Sequence, residues 1–283
     1  MLLIPVLWLA GSCEKEATTK FGEQYKKTIY IVHAQGMEYS KDHNYENQTD
    51  NIMISVYCGS TEPITKDVSV TLKLDTHALD SLNHLNGLGN AKYVPKALLP
   101  AEFYSLTDFN VTIKKGAQFG VLNIPVHFTG LDADIPYALP ITIVSNDANY
   151  DINPKLASIV YQPTMISKYS GLYSGTSKVS TETSAKSITP KLKALSANTI
   201  RIPIHNLVDD KEFISTNYML LTIGDDKKSI RISPIGNALV TDDGDSQYDE
   251  DLMQFTLHYS YVENGKTKSV HSVIRNVEAL EEE

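Results

Sequence analysis

The stretch Val68-Ser69-Val70-Thr71-Leu72-Lys73-Leu74-Asp75 alternates apolar and polar side chains without a break. A β-strand turns successive side chains to opposite faces, so this period of two predicts a half-buried strand with Val68, Val70, Leu72 and Leu74 facing a core. Runs of the same kind occur at 28–34, 51–59, 110–114, 118–128 and 138–145, with Lys115-Gly116 and Thr129-Gly130 as turns between them. Six or more strands over residues 28–162 predict an immunoglobulin-like β-sandwich. One interruption follows Asp75-Thr76, where Ala78, Leu79, Leu82 and Leu85 fall at helical spacing. A short helix is expected there, covering an open end of the sandwich.

Residues 162–169 break the pattern, because Pro163 cannot donate to a sheet ladder. The domain boundary is therefore placed at 162/163. Beyond it, strands read at 171–179, 199–204, 218–223, 229–235, 252–262 and 268–277. Gly224-Asp225-Asp226-Lys227 and Asn264-Gly265 join neighbours, the second with the residues of a type I′ hairpin. Short hairpins in succession predict an antiparallel meander over 163–283, closing as a lipocalin-like β-barrel or remaining a curled sheet. In the last hairpin Phe255, Leu257, Tyr259 and Tyr261 share one face and are expected in its core.

The chain has 283 residues, enough for two ordinary domains, and a formal charge of -9. Such a balance repels phosphate backbones, so no nucleic-acid partner is expected. The apolar run 1–10 is shorter than the roughly 20 residues that cross a bilayer. It fits a signal peptide over 1–12, because Gly11-Ser12-Cys13 and then polar Glu14-Lys15-Glu16 follow. Those residues resemble a bacterial lipobox, which implies acylation of Cys13, a polar tether over 13–27 and attachment to a membrane through lipid only. Cys58, the one other cysteine, lies in the apolar run 52–58 and is expected to be a small buried hydrophobe, so no disulfide framework supports the fold.

The sequence offers no recognisable catalytic apparatus. It contains no Gly-x-Ser-x-Gly elbow, no phosphate-cradling glycine loop and no His-Glu-x-x-His pair among its eight histidines. No catalytic residue, metal ligand set or cofactor is expected. His77 and His84 stand two helical turns apart and read as surface residues. The acidic stretch 242–251 lacks the spacing of a calcium loop, since its glycine falls between the aspartates, and reads as a solvated connection. Sugars present apolar faces that stack on exposed aromatic rings, and Tyr39, Tyr45, Tyr150 and Tyr248 sit in polar surroundings that suit loops. These four are the glycan-binding candidates.

The segments Leu99-Pro100-Ala101-Glu102-Phe103-Tyr104-Ser105-Leu106, Asn110-Val111-Thr112-Ile113-Lys114-Lys115-Gly116 and Ala138-Leu139-Pro140-Ile141 resemble a domain of unknown function. It is the N-terminal module of Bacteroides lipoproteins that also occurs ahead of family 18 endoglycosidase domains in glycan-utilisation loci. Ile166-Ser167-Lys168-Tyr169-Ser170-Gly171-Leu172-Tyr173-Ser174-Gly175-Thr176 is similar to the opening strand of its C-terminal companion. The resemblance implies a non-catalytic lipoprotein, lipid-anchored in the outer membrane and facing the cell surface, with the periplasmic face as the alternative, that binds or scaffolds glycans beside other proteins of a glycan-uptake system. The alternative on the same fold is a structural or adhesive protein that binds another protein.

Overall fold

The computed structural model describes residues 26–47 and 49–278. The expected leader, Cys13 and nearly all of the tether lie outside the described residues. Ten strands build the first unit: β1 (Thr28–Ile31), β2 (Glu38–Asn44), β3 (Asp50–Gly59), β4 (Val68–Leu74), β5 (Ala97–Leu98), β6 (Asn110–Ile113), β7 (Phe119–Val126), β8 (Tyr137–Asn146), β9 (Asp151–Ile152) and β10 (Ser158–Ile166). One sheet has the order β7-β3-β1-β9, and the other β2-β10-β8-β4-β6 with β5 beside β8. The alternation in the sequence explains how they pack. Ile52, Ile54, Val56 and Cys58 of β3 share one core with Val68, Val70 and Leu72 of β4 and with Ile141 and Ile159. Burying each large aliphatic side chain there contributes about 1.5–3 kcal/mol.

Three strands run parallel to a neighbour, β9 beside β1, β2 beside β10 and the two-residue β5 beside β8. The sequence hides β2, because in Glu-Tyr-Ser-Lys-Asp-His-Asn only His43 is buried. His43 bridges the core edge, with Nδ1 2.7 Å from Asp50 and Nε2 2.8 Å from the Tyr161 hydroxyl. Burial works to raise the Asp50 carboxyl, but His43 and the Asn51 amide outweigh it and hold the group below its ordinary value.

The helix α1 (Thr76–Gly87) forms where helical spacing predicts it. It does not cover an end of the sandwich. Ala78, Leu79 and Leu82 pack on Ala138 and Val160, which lie on the outer side of the six-stranded sheet. That is why 138–141 is buried at every position: this part of β8 is covered on both faces.

One strand runs across the position expected for the boundary. β10 continues through Pro163 to Ile166, paired with β2 along its whole second half. Val160 donates to Met37 on the β2 side, so by strand alternation Pro163 turns its missing N–H the other way, beyond the last β8 pair at Tyr161. The proline is tolerated at an edge and breaks nothing. Residues 167–170 connect the two units.

The second unit comprises β11 (Gly171–Val179), β12 (Lys186–Ile188), β13 (Lys191–Ala194), β14 (Thr199–Pro203), β15 (Tyr218–Ile223), β16 (Ile230–Pro234), β17 (Val240–Asp242), β18 (Gln247–Asp249), β19 (Gln254–Glu263) and β20 (Lys266–Asn276). Its sheet order is β16-β15-β14-β13-β11-β20-β19-β17, so chain neighbours are sheet neighbours and the first strand pairs with the last. This is a meander curled into a nearly closed barrel. The seam lies between β16 and the β17–β18 segment, where Ile230 N–H donates to Ser246 O at 3.1 Å and Tyr248 N–H to Lys228 O at 2.8 Å. Asn264 and Gly265 both have positive φ, 52° and 71°, as the type I′ turn requires. Phe255, Leu257, Tyr259 and Tyr261 are all buried together with Tyr173, Ile200 and Leu221.

Asp134, on the β7–β8 connection, joins the two units. It accepts from Arg201 Nη1 at 2.6 Å and Nη2 at 2.7 Å, and from Lys193 Nζ at 2.9 Å. Arg201 is 7% exposed, and its guanidinium lies 5.5 Å from the centre of the Tyr218 ring. Partial burial pushes the Asp134 carboxyl up, yet the hydrogen bonds from Arg201 and Lys193 prevail and hold it at about 2. A folded-state value below the unfolded one stabilises above the unfolded pKa, and the contribution is lost as pH falls from about 4 through about 2. Asp134→Asn should therefore cost about 1–2 kcal/mol at neutral pH, discounted from a fully buried pair because Asp134 is partly exposed. Urea titrations at pH 7 and pH 3 check this: the gap between parent and variant should shrink at the lower pH.

Candidate functional site

The four candidate tyrosines do not form one exposed surface. Tyr39, on β2, is half-buried and stacks on His33 with ring centres 4.6 Å apart. Tyr45 and Tyr150 pack against the sandwich core, and the Tyr45 hydroxyl is buried without a hydrogen-bond partner. Tyr150 anchors a turn, its amide and carbonyl both bonded to the Asn146 side chain at 2.8 Å. Tyr248 is 3% exposed and belongs to the barrel core. This overturns its reading as an exposed loop ring: it lies on β18 directly opposite Phe255, whose ring centre is 4.6 Å away.

A different aromatic set does face solvent. Tyr30 of β1, Tyr57 of β3 and Phe119 of β7 are register partners across three adjacent strands, on the side of the sheet away from the core. The Tyr30 and Tyr57 ring centres are 5.2 Å apart, and Phe119 is 57% exposed. Met53 and Val121 extend the same face and are also exposed. Asn51, Ser55 and Asn123 place polar groups among them. The three rings occupy the polar-parity positions of strands that the sequence reveals. Which strands lie side by side is fixed only by the fold, and so the row escapes a reading of the chain alone.

The second unit carries an open polar groove on its outer wall. One part, about 410 Å³, is lined by Lys178, Asp243, Asp245, His258, Ser269 and His271. It continues past Asp245 and His258 into a second part of about 620 Å³ beside the 226–228 turn and the 247–251 segment. The acidic stretch 242–251 is more ordered than a solvated connection. Asp242 accepts from the amides of Ile232 and Gly244 at 2.8 and 3.0 Å, Asp243 from the Ser260 hydroxyl at 2.6 Å, and Glu250 from Lys168 Nζ at 2.8 Å. Among the described residues no three His, Cys, Asp or Glu side chains converge as a cation cage.

Inside the barrel, Ser177 Oγ lies 2.7 Å from His205 Nδ1 and 2.6 Å from Ser272 Oγ, and the Tyr259 hydroxyl accepts from the His205 amide at 2.8 Å. Burial depresses the His205 pKa. All four side chains are buried, so this serine and histidine satisfy each other within the core and present no nucleophile to solvent.

Residues 25–150 match a family model described as an N-terminal domain, and residues 157–275 match the model of the corresponding C-terminal domain. Together the two cover most of the chain, which is a two-domain protein of a kind found in Bacteroides. No curated protein matches it significantly. Among solved structures, a protein of unknown function from Bacteroides ovatus is 19% identical, with a TM-score of 0.63 over 87% of this chain and 90% of its own. A second from the same organism is 14% identical, with a TM-score of 0.64 over 88% and 93%. An auxiliary nutrient binding protein from Bacteroides thetaiotaomicron is 16% identical, with a TM-score of 0.59 over 84% and 90%. At these identities the likeness establishes the fold.

The different settings of the aromatic residues predict different costs of removal. Tyr248→Ala should destabilise the protein by about 3–5 kcal/mol, as for other buried rings. Phe119→Ala should stay within about 1 kcal/mol of the parent. Chemical denaturation of the two variants checks the contrast.

Proposed function

We propose that this protein is a non-catalytic, lipid-anchored envelope protein that holds glycans, and that the row Tyr30, Tyr57 and Phe119 is the surface that holds them. The row is the observation that carries the reading. Pyranose rings offer apolar C–H faces to aromatic rings, while their hydroxyls take polar neighbours such as Asn51, Ser55 and Asn123. An open sheet face has no end walls and suits a polymer that extends beyond the contact. The Bacteroides thetaiotaomicron neighbour, described as an auxiliary nutrient binding protein, supports the same reading.

The rest of the proposal follows from the sequence. Acylation of Cys13 would fasten the body to the outer membrane, facing outward beside the other proteins of a glycan-utilisation locus. The two units are then read as an immunoglobulin-like sandwich and a lipocalin-like barrel. Among the described residues no helix is long and apolar enough to cross a membrane. Met53 and Val121 favour a second reading, a protein partner docked on the same apolar face.

Binding to a panel of soluble polysaccharides, followed by affinity electrophoresis and calorimetry, tests the proposal. At least one glycan should be retained without release of new reducing ends, and Tyr57→Ala and Phe119→Ala should each weaken it about tenfold, the equivalent of one good ring contact. The reading falls if no glycan binds or if the ring variants bind as the parent does. Capture of one protein through this face, with no response to sugar, favours the alternative. Separately, Cys13→Ala should move the exported protein from the detergent phase to the aqueous phase on phase partitioning.

A further inference from the structure

His258 of β19 and His271 of β20 are register partners on the outer wall of the barrel, and both line the 410 Å³ groove. Their rings lie nearly parallel, 23° apart in plane with centres separated by 4.6 Å. Directly opposed residues of an antiparallel pair have Cα atoms about 4.5–5.5 Å apart, so rotation about the side-chain bonds brings a nitrogen of each ring to a common point above the sheet. These histidines differ from the two buried ones. His43 and His205 have Nδ1 occupied by Asp50 and Ser177, whereas neither His258 nor His271 makes a side-chain hydrogen bond to a described residue.

We propose that His258 and His271 form a two-imidazole site for a divalent transition-metal ion such as zinc or copper. Imidazole nitrogen selects these ions over calcium and magnesium, which prefer oxygen ligands. Two protein nitrogens hold the ion, and water fills the remaining positions from the open groove. Lys178 stands opposite His271 on β11 and opposes a cation there, while the carboxylates of Asp243 and Asp245 on the other side of the groove offset it. The site is on a different unit from the aromatic row and stands whether or not that row binds glycans.

Calorimetric titration of the mature protein with zinc chloride and with copper sulfate at pH 7.5 tests the inference. One equivalent of at least one ion should bind. His258→Ala and His271→Ala should each weaken it by more than the roughly 10–100-fold lost when a partner that only orients a ligand is removed. His84→Ala, on the exposed side of α1, should leave it unchanged, and Lys178→Asn should tighten it. Lowering the pH to 5.5 should release the ion, because protons compete for the imidazoles. Thermal melts of the metal-free variants separate loss of the site from loss of the fold. Absence of saturable binding by both ions, binding that survives either alanine change, or loss with only one of the two would overturn the proposal.

Discussion

The pairing of β11 with β20 is the constraint on which the second unit depends. It joins Gly171–Val179 to Lys266–Asn276 through seven register pairs, bringing together segments at opposite ends of the unit. Gly175 makes the approach possible, since a Cβ there would lie 2.0 Å from the Val273 carbonyl oxygen. The same pairing sets Ser177 beside Ser272 inside the barrel and Lys178 beside His271 outside it. Both the internal polar cluster and the groove are consequences of one strand junction. Because that junction closes a long loop, its entropic cost is met only when the intervening strands are ready to pack.

The two units are also held in a fixed relation. Only residues 167–170 separate β10 from β11, and a chain that short permits few orientations. Asp134 then selects one by presenting both carboxylate oxygens to the planar fork of Arg201. Arg201 is itself pinned in strand β14, so the clamp links one unit's loop to the other unit's sheet. The solvent-facing row on the sandwich and the groove on the barrel are consequently parts of one body.

The sequence made the fold legible wherever one face of a strand meets water. Val68–Leu74 and Gly171–Val179 declare themselves by alternation, and Asn264-Gly265 announces its hairpin because few other residues accept two positive φ values. Strands whose residues depart from that rule were opaque. β2 is an edge strand with one buried side chain, and β12, β17 and β18 are three residues each, too short to establish a period. Pro163 looked like a terminator and is an edge residue instead.

Sites were less legible than strands, for a related reason. Polar surroundings placed Tyr248 in a loop, but three residues of strand suffice to turn it inward onto Phe255. Tyr30, Tyr57 and Phe119 are separated by 27 and 62 positions in the chain and become neighbours only through strand order, whereas the Asn264-Gly265 turn itself sets His258 opposite His271. Side-chain chemistry can be read locally. Adjacency between strands cannot, except across a tight hairpin.

The seam between β16 and β17 has a consequence for how copies of the protein meet. A barrel that fails to close leaves backbone donors available to a strand from another molecule, the usual route to aggregation. Here the Ile232 amide is already taken by the Asp242 side chain, a carboxylate standing in for the missing backbone carbonyl. An incoming strand would have to displace a negative charge to use that donor. The last gap in the wall is thus guarded by electrostatics.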